Sequence, residues 1–212
     1  MKQERRRRHA AGREHRIGKL FYIMGKSASG KDSVYNALLG DPRLGLHRIV
    51  LYTTRPIREH ETDGRDYRFV SEEELSRLRD EGRVVEERAY DTVHGIWRYA
   101  TADDGSIDLA AHNYLAIGTL ESYRKIRDYF GAENVVPLYI EVEDGERLAR
   151  ALGREREQKT PKYAEMCRRF LADEADFSEE NIRAAGIGKR YPNNGSMKEC
   201  LADIEETIRV MV

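Results

Sequence analysis

Leu20-Phe21-Tyr22-Ile23-Met24-Gly25-Lys26-Ser27-Ala28-Ser29-Gly30-Lys31-Asp32-Ser33-Val34-Tyr35-Asn36-Ala37-Leu38-Leu39 reads as strand, glycine-rich turn and helix. Such a turn aims several backbone N–H groups at one anion, and the helix that follows adds its positive dipole end. Gly25, four residues, Gly30 and Lys31 have the spacing of a Walker A phosphate-binding loop. One position is irregular: Asp32 stands where Ser or Thr usually follows the lysine, and Ser33 comes one place later. An inert glycine-serine turn is the competing reading. The lysine position and both flanking elements favour phosphate.

Outward from the loop, residues 17–24 form a continuous apolar run and predict a buried central strand. The first helix is predicted over 32–39, stopped by Gly40-Asp41-Pro42, and the second strand over 47–52. Arg55 and Arg58 follow in a polar segment with a turn signal at Asp63-Gly64. Two guanidinium groups at this spacing can converge on one phosphate, and Tyr67 can add a hydroxyl; a solvated surface hairpin is the alternative. Ser71 and Glu74 predict a capping box opening a helix over 72–81. Short strands at 84–90 and 93–100 and a turn at Asp103-Asp104-Gly105 make 55–110 look like an inserted unit over the loop.

A strand-and-helix rhythm resumes with a strand at 113–118, a helix at 120–130 capped by Thr119, a strand at 135–142 and a helix at 144–153. Pro137 implies that one part of its strand lies outside the ladder. Residues 153–160 are dense in charge and read either as a solvated helix face or as a mobile lid. Thr160 and Pro161 are expected as N-cap and N1 of a helix whose Tyr163, Met166, Cys167, Phe170 and Leu171 share one face. A last strand is expected within 184–191. A second capping box, Ser196 with Glu199, is expected to open a helix that buries Met197, Cys200, Leu201, Ile204 and Ile208. The whole pattern argues a three-layer α/β domain with a mostly parallel central sheet.

The chain has 212 residues, a formal net charge of -1 and 35% charged residues. That suits one domain, or one domain with an insert, and excludes an overall basic protein. Apolar runs stay well short of the roughly 18–20 residues that a membrane span requires, so no membrane partner is expected. Residues 1–16, rich in arginine, are expected to be a disordered tail or an extended start to the reading frame, and are the one place where nucleic acid could be touched. Cys167 and Cys200 fall on apolar faces of predicted helices. They are expected to be buried free thiols in a reducing cytoplasm, and no Cys/His cluster points to zinc.

The loop at 25–33, Thr53-Thr54-Arg55-Pro56-Ile57-Arg58, then Glu61, Gly64 and Tyr67-Arg68-Phe69-Val70-Ser71, and Glu86 after the short helix together resemble the guanylate kinase family of nucleoside monophosphate kinases. The resemblance runs over about 19–205 and is densest before residue 95. It implies a P-loop NTPase fold with core 17–52 and 111–212, an inserted monophosphate-binding subdomain at about 53–110, and a lid at about 153–162. It implies ATP and Mg²⁺, with Gly25, Ser27, Ala28, Ser29, Gly30, Lys31, Asp32 and Ser33 holding the phosphates and Asp32 or Ser33 the metal. Lys31 would contact the β- and γ-phosphates. Arg55, Arg58 and Tyr67 would grip the acceptor's phosphate, and Glu86 would accept from guanine N1–H and N2–H₂. His94 lies near the family's second phosphate-binding tyrosine. Arg154, Arg156 and Arg168 correspond to lid and transition-state arginines, and Asn193 to an asparagine near the donor nucleotide.

Departures from the family pattern are Asp32, Leu51 in place of a guanine-reading serine, an acid-free strand at 114–118 with Glu121 just beyond, and a rewritten segment at 92–97. The implied activity is transfer of the ATP γ-phosphoryl group to GMP or a related monophosphate, by a cytoplasmic monomer or homodimer acting on small molecules. A sugar phosphate such as ribose 1,5-bisphosphate is the alternative acceptor. A non-catalytic nucleotide- or protein-binding module is the alternative class, opposed by the retained Lys31.

Overall fold

A computed structural model describes residues 18–92 and 95–212. The basic tail expected at 1–16 and the candidate His94 lie outside the described residues. Strand β1 (Leu20–Met24) is the centre of a five-stranded parallel sheet in the order β2-β7-β1-β8-β9, formed with β2 (Leu46–Arg48), β7 (Asn113–Ile117), β8 (Val135–Glu141) and β9 (Arg190–Pro192). No residue of β1 is more than 3% exposed. Leu20, Tyr22 and Met24 enter one core with Leu120, Tyr123, Ile126 and Phe177, while Phe21 and Ile23 enter another with Val34, Leu38, Ile204 and Ile208. That two-sided burial explains the continuous apolar run, and each such side chain stabilises the fold by about 1.5–3 kcal/mol.

Helices α1 (Lys31–Leu39) and α7 (Met197–Met211) cover the second face, and α3 (Leu120–Phe130) and α6 (Glu179–Ala184) the first. Helix α3 has the expected limits, with Thr119 Oγ1 accepting from Ser122 N–H at 3.2 Å. Pro137 pairs with Tyr22 on one side, and the ladder to β9 begins only at Tyr139, so no partner needs the missing N–H on that side.

The strand predicted over 47–52 is divided between two sheets. Arg48 ends β2, and Tyr52–Thr53 (β3) belongs to a second sheet in the order β4-β3-β6-β5, with β4 at Arg68–Phe69, β5 at Val84–Thr92 and β6 at Gly95–Ala102. Apolar continuity through Ile49 and Leu51 hid the change of sheet, because both pack on the first core. Helix α2 (Glu72–Asp80) closes a small third core of Tyr52, Leu75, Ala100 and Ala102, and its capping box is present at Ser71 and Glu74.

The C-terminal third carries the corrections. Helix α4 (Asp144–Glu157) does not stop at Gly153, and the charge-dense run forms its last turns. Helix α5 (Tyr163–Asp176) is capped by Lys162 rather than Thr160, because Glu155 Oε2 takes the Lys162 N–H at 2.8 Å and holds residues 158–162 as a connection. Its apolar stripe is not core: Cys167 is exposed, and Leu171 is 68% exposed. The expected last strand begins only at Arg190, after α6. Ser196 caps α7 through Lys198 N–H, so no box forms with Glu199, and Met197 is 38% exposed. Cys200, Ile204 and Ile208 are buried as expected. Among the described residues no helix is long and apolar enough to cross a membrane.

Candidate active site

The loop between β1 and α1 is shaped by three backbone constraints. A Cβ on Gly25 would meet Ile140 O at 2.6 Å and Ser29 Oγ at 2.9 Å. Gly30 lies at φ +84°, and Ala28, at φ +64°, is the one non-glycine residue with positive φ among the described residues. Gly30 precedes α1 with no side-chain cap, so the first-turn N–H groups of Lys31, Asp32 and Ser33 keep their orphan donors. Ser29 Oγ is buried without a hydrogen-bond partner. These residues fit a phosphate group: unpaired donors, a dipole end and Lys31 at one place. Among the described residues no cluster of three acids, histidines or cysteines could hold a metal alone. Asp32 and Ser33, both exposed in the first turn, fit a Mg²⁺ that keeps phosphate oxygens and waters as its other ligands.

Asn193 is 4% exposed and donates through Nδ2 to Ser29 O at 2.8 Å. It braces the loop from behind, within 2.7 Å of where a Gly30 Cβ would stand. A second brace escaped the sequence reading. Ser27 N–H donates to Asp173 Oδ2 at 2.6 Å, and Lys26 Nζ to Glu174 Oε1 at 2.7 Å. Both acids are gathered by Arg147, 1% exposed, which also reaches Asp144 and lies over the Phe170 ring at 4.5 Å. The acidic pair Asp173-Glu174, one helix away from Asp144, was the only sequence signal for it.

On the second sheet, the pairing of β3, β6 and β5 puts Thr53 beside Tyr99, Arg88 beside Tyr99 and Glu86 beside Thr101. Side chains two residues apart share a face, so Thr53, Arg55, Glu86, Arg88, Tyr99 and Thr101 belong together. Arg55 is 3% exposed, with Tyr67 and Phe69 rings 4.9 and 5.4 Å from its guanidinium carbon. Its Nη1 donates to Glu61 Oε2 at 2.7 Å and its Nη2 to Glu61 Oε1. Hydrogen bonding to Glu61 lifts the Arg55 pKa above the ordinary guanidinium range, and nearby Tyr99 adds to this. The same bond from Arg55 holds Glu61 down at about 2. Tyr99, missed from sequence because His94-Gly95 drew the comparison with the family's second tyrosine, packs edge-on to Tyr67 at 5.7 Å. Period-two reading of β6 would have found it. Arg58 is exposed; its N–H donates to Glu61 Oε2 at 2.9 Å, and its carbonyl accepts from the Glu61 N–H at 3.0 Å.

Glu86 is 3% exposed and accepts hydrogen bonds from Thr101, Ser122 and Arg88 Nη2. Thr101 Oγ1 donates to its Oε1 at 2.9 Å, Ser122 Oγ to its Oε2 at 3.1 Å, and Arg88 Nε lies 3.2 Å from Oε2. Burial is the largest single influence and opposes the Arg88 charge, but the Glu86 carboxylate together with Tyr22 and Tyr90 outweighs it and raises the Arg88 pKa. The predicted lid and transition-state arginines are not gathered here. Arg154 and Arg156 are exposed on the last turn of α4, and Arg168, on α5, is paired with Glu165 at 2.7 Å. Leu51 packs on the first core, and Glu121 is bound to Lys125 at 2.6 Å.

A parallel sheet whose central strand feeds an uncapped glycine loop, beside a second small sheet, defines an α/β protein of the P-loop NTPase fold. The family model described as guanylate kinase matches residues 18–177, and the chain belongs to the guanylate kinase family. The chain is 42% identical to guanylate kinase of Bordetella pertussis over 88 residues, 41% of this chain and 38% of that protein. It is 28% identical to guanylate kinase of Malacoplasma penetrans over 129 residues, 60% of this chain and 64% of that one. The matches thus span less than two thirds of these relatives' lengths. The crystal structure of guanylate kinase from Anaplasma phagocytophilum shares the fold, with TM-score 0.56, 22% identity and coverage of 92% of this chain and 86% of that one.

Proposed function

We propose that the protein is an ATP-dependent kinase that transfers the γ-phosphoryl group of ATP to the phosphate of a nucleoside monophosphate, GMP or a related nucleotide. The observation that carries this reading is that one domain holds two groupings of anion-compatible donors of different construction. One is the uncapped loop at the end of β1, with Lys31; the other is the Arg55–Tyr67–Tyr99 cluster on the second sheet.

In this reading the loop N–H groups and Lys31 hold the ATP β- and γ-phosphates. Arg55, Tyr67 and Tyr99 hold the acceptor's phosphate so that one of its oxygens faces the γ-phosphorus in line, with Arg58 free to add charge at the rim. Such transfer needs positioning and charge stabilisation rather than a covalent intermediate. Asp32 and Ser33 would hold Mg²⁺, which when bound neutralises phosphate charge. Arg154 and Arg156 are exposed and without an ion pair among the described residues, and would reach the transferring group only after α4 and α5 move inward. A sugar phosphate such as ribose 1,5-bisphosphate is the second reading, favoured by one observation: Glu86 has no free face for a base.

Incubation with Mg-ATP and GMP, dGMP, AMP, CMP, UMP or ribose 1,5-bisphosphate, followed by ADP release, tests both. Rapid turnover with a monophosphate supports the first reading. Turnover with the bisphosphate alone replaces it with the second, and ATP binding without turnover on any acceptor removes both.

A further inference from the structure

Two donors of the loop at 25–33 are held by consecutive residues of α5. Ser27 N–H donates to Asp173 Oδ2 at 2.6 Å, and Lys26 Nζ to Glu174 Oε1 at 2.7 Å, with Asp144 Oδ1 3.6 Å away. Such N–H···O⁻ contacts are charge-assisted and strong. They place carboxylate oxygens on donors of the kind that a loop before a helix offers to an anion.

Neither acid depends on the loop for a partner. Glu174 Oε1 also accepts from Arg147 Nη2 at 2.7 Å, and Asp144 Oδ1 from Arg147 Nε at 3.1 Å. Arg147 Nη1 stands 3.7 Å from Asp173 Oδ2 and is buried without a hydrogen bond. The Arg147 side chain is 1% exposed, so an idle N–H there is unfavourable, and a carboxylate would relieve it. A shift of Asp173 Oδ2 toward Arg147 by about 0.5–1 Å would bring it within hydrogen-bond range. Asp173 thus stands between two donors, one on the loop and one behind it.

Charge favours the exchange once a phosphate arrives. Lys26 and Arg147 face three carboxylates, those of Asp144, Asp173 and Glu174. Of the acids nearby, Glu179 is bound by Arg190, and Asp176 lines the cavity beside β5. The cluster therefore carries one excess negative charge, and with the acids on the loop it repels a polyphosphate.

Resting on the kinase reading above for the loop's ligand, we propose that Asp173 and Glu174 are displaceable occupants of the loop, and that Ser27 N–H and Lys26 are binding groups for the ATP phosphates, freed when both carboxylates pass to Arg147. Arg147 is then a positioning residue that receives the acids and keeps them off the incoming phosphate. The acids lower the affinity for ATP and fill the loop's donors while no nucleotide is there.

Calorimetric titration with ATP in EDTA, without acceptor, tests this, with thermal unfolding as the check on fold. Asp173→Ala and Glu174→Gln should each raise ATP affinity about tenfold, the worth of roughly one hydrogen bond to a charged group. Asp176→Asn removes the same charge from the same helix and should change it by no more than about twofold. Adding Lys26→Met to Glu174→Gln should take the gain away. A rigid brace gives the opposite sign: loss of either acid loosens the loop and weakens ATP binding, and that result overturns the proposal. An equal gain in Asp176→Asn also overturns it, and a Glu174→Gln gain that survives Lys26→Met overturns the role of Lys26. Where Asp173→Ala fails to fold, Asp173→Asn decides, since it keeps an acceptor for Ser27 N–H without the charge. No ATP binding by the wild type or any variant overturns it too. Tighter ATP binding in the acid variants, with no ADP formed with any acceptor, would overturn the kinase reading and leave the displacement intact. Turnover by a protein whose acid variants bind ATP more weakly would do the reverse.

Discussion

In the loop at 25–33 the donors are backbone N–H groups, held by Gly25, by Ala28 at φ +64° and by Gly30 at φ +84°, and Lys31, Asp32 and Ser33 form no ion pair among the described residues. In the second sheet the donors are side chains, and they arrive already occupied: Arg55 by Glu61, Arg88 by Glu86. The difference follows from charge. Orphan N–H groups at a helix start carry only partial charges and can face solvent unfilled. A guanidinium 3% exposed cannot remain unpaired without a large desolvation cost, so the chain supplies an internal carboxylate. A phosphate docking at Arg55 therefore competes with Glu61, while one docking at the loop competes with water at the first-turn N–H groups and with Asp173 at the Ser27 N–H.

This contrast can be broken by experiment. Lys31→Ala should lower phosphoryl transfer by roughly 10²–10³-fold or more, with the unfolding midpoint little changed. Retained activity in single-turnover assays would remove the loop from the chemistry. Arg55→Lys keeps a charge but loses the forked contact, and should raise the acceptor's KM by roughly 10-fold or more, about 1.4 kcal/mol, at unchanged ATP affinity. An equal loss on both substrates would mean that Arg55 is only structural.

Arg147→Met probes the brace behind the loop. It strips Asp144, Asp173 and Glu174 of their shared cation. Because those acids are partly exposed, a loss of about 2–4 kcal/mol in urea unfolding is expected; a change under 0.5 kcal/mol on the same measurement would show the cluster to be idle.

The smallest effect is the acid limb of stability. Pairing with Arg55 holds Glu61 at about 2, below its ordinary value of 4.5. The group therefore stabilises the fold fully above about pH 4.5 and loses that contribution as pH falls toward 2. Glu61→Gln should flatten the melting temperature profile in that window and leave it unchanged in shape near neutrality. An unaltered acid limb would mean that the Arg55–Glu61 pair does not persist in solution.

What was legible from sequence was local. β1, α1 and α3 declare themselves through unbroken apolar runs, glycine stops and the Thr119 cap, and the Ser71–Glu74 box needs only three residues' separation. What was not legible was relational. Ile49 and Leu51 look like strand continuation although the chain is changing sheets there. The stripe of α5 has helical spacing, but Tyr163 and Leu171 lie 45% and 68% exposed, because periodicity marks a face without saying what meets it. In the candidate site, the loop and Arg55 could be picked out from spacing and residue type. Thr101 and Arg88 emerge only from the register of β5 on β6.

The crossing at residues 49–51 has an engineering consequence. The chain leaves the parallel sheet after β2 and rejoins it at β7, and these two strands are direct neighbours, with Leu46 opposite Asn113. Every strand between them belongs to the other sheet. The intervening segment is thus a cassette with both junctions on one ladder. A transplant of residues 49–112 from a relative would cut no strand of the scaffold. It would need to re-cover the apolar contacts of Ile49, Leu51, Val85, Ile107 and Leu109, to replace the partners of Arg48, Tyr114 and Tyr129, and to offer Ser122 a new acceptor in place of Glu86. The second sheet in this architecture can be exchanged as a module while the loop at 25–33 stays where it is.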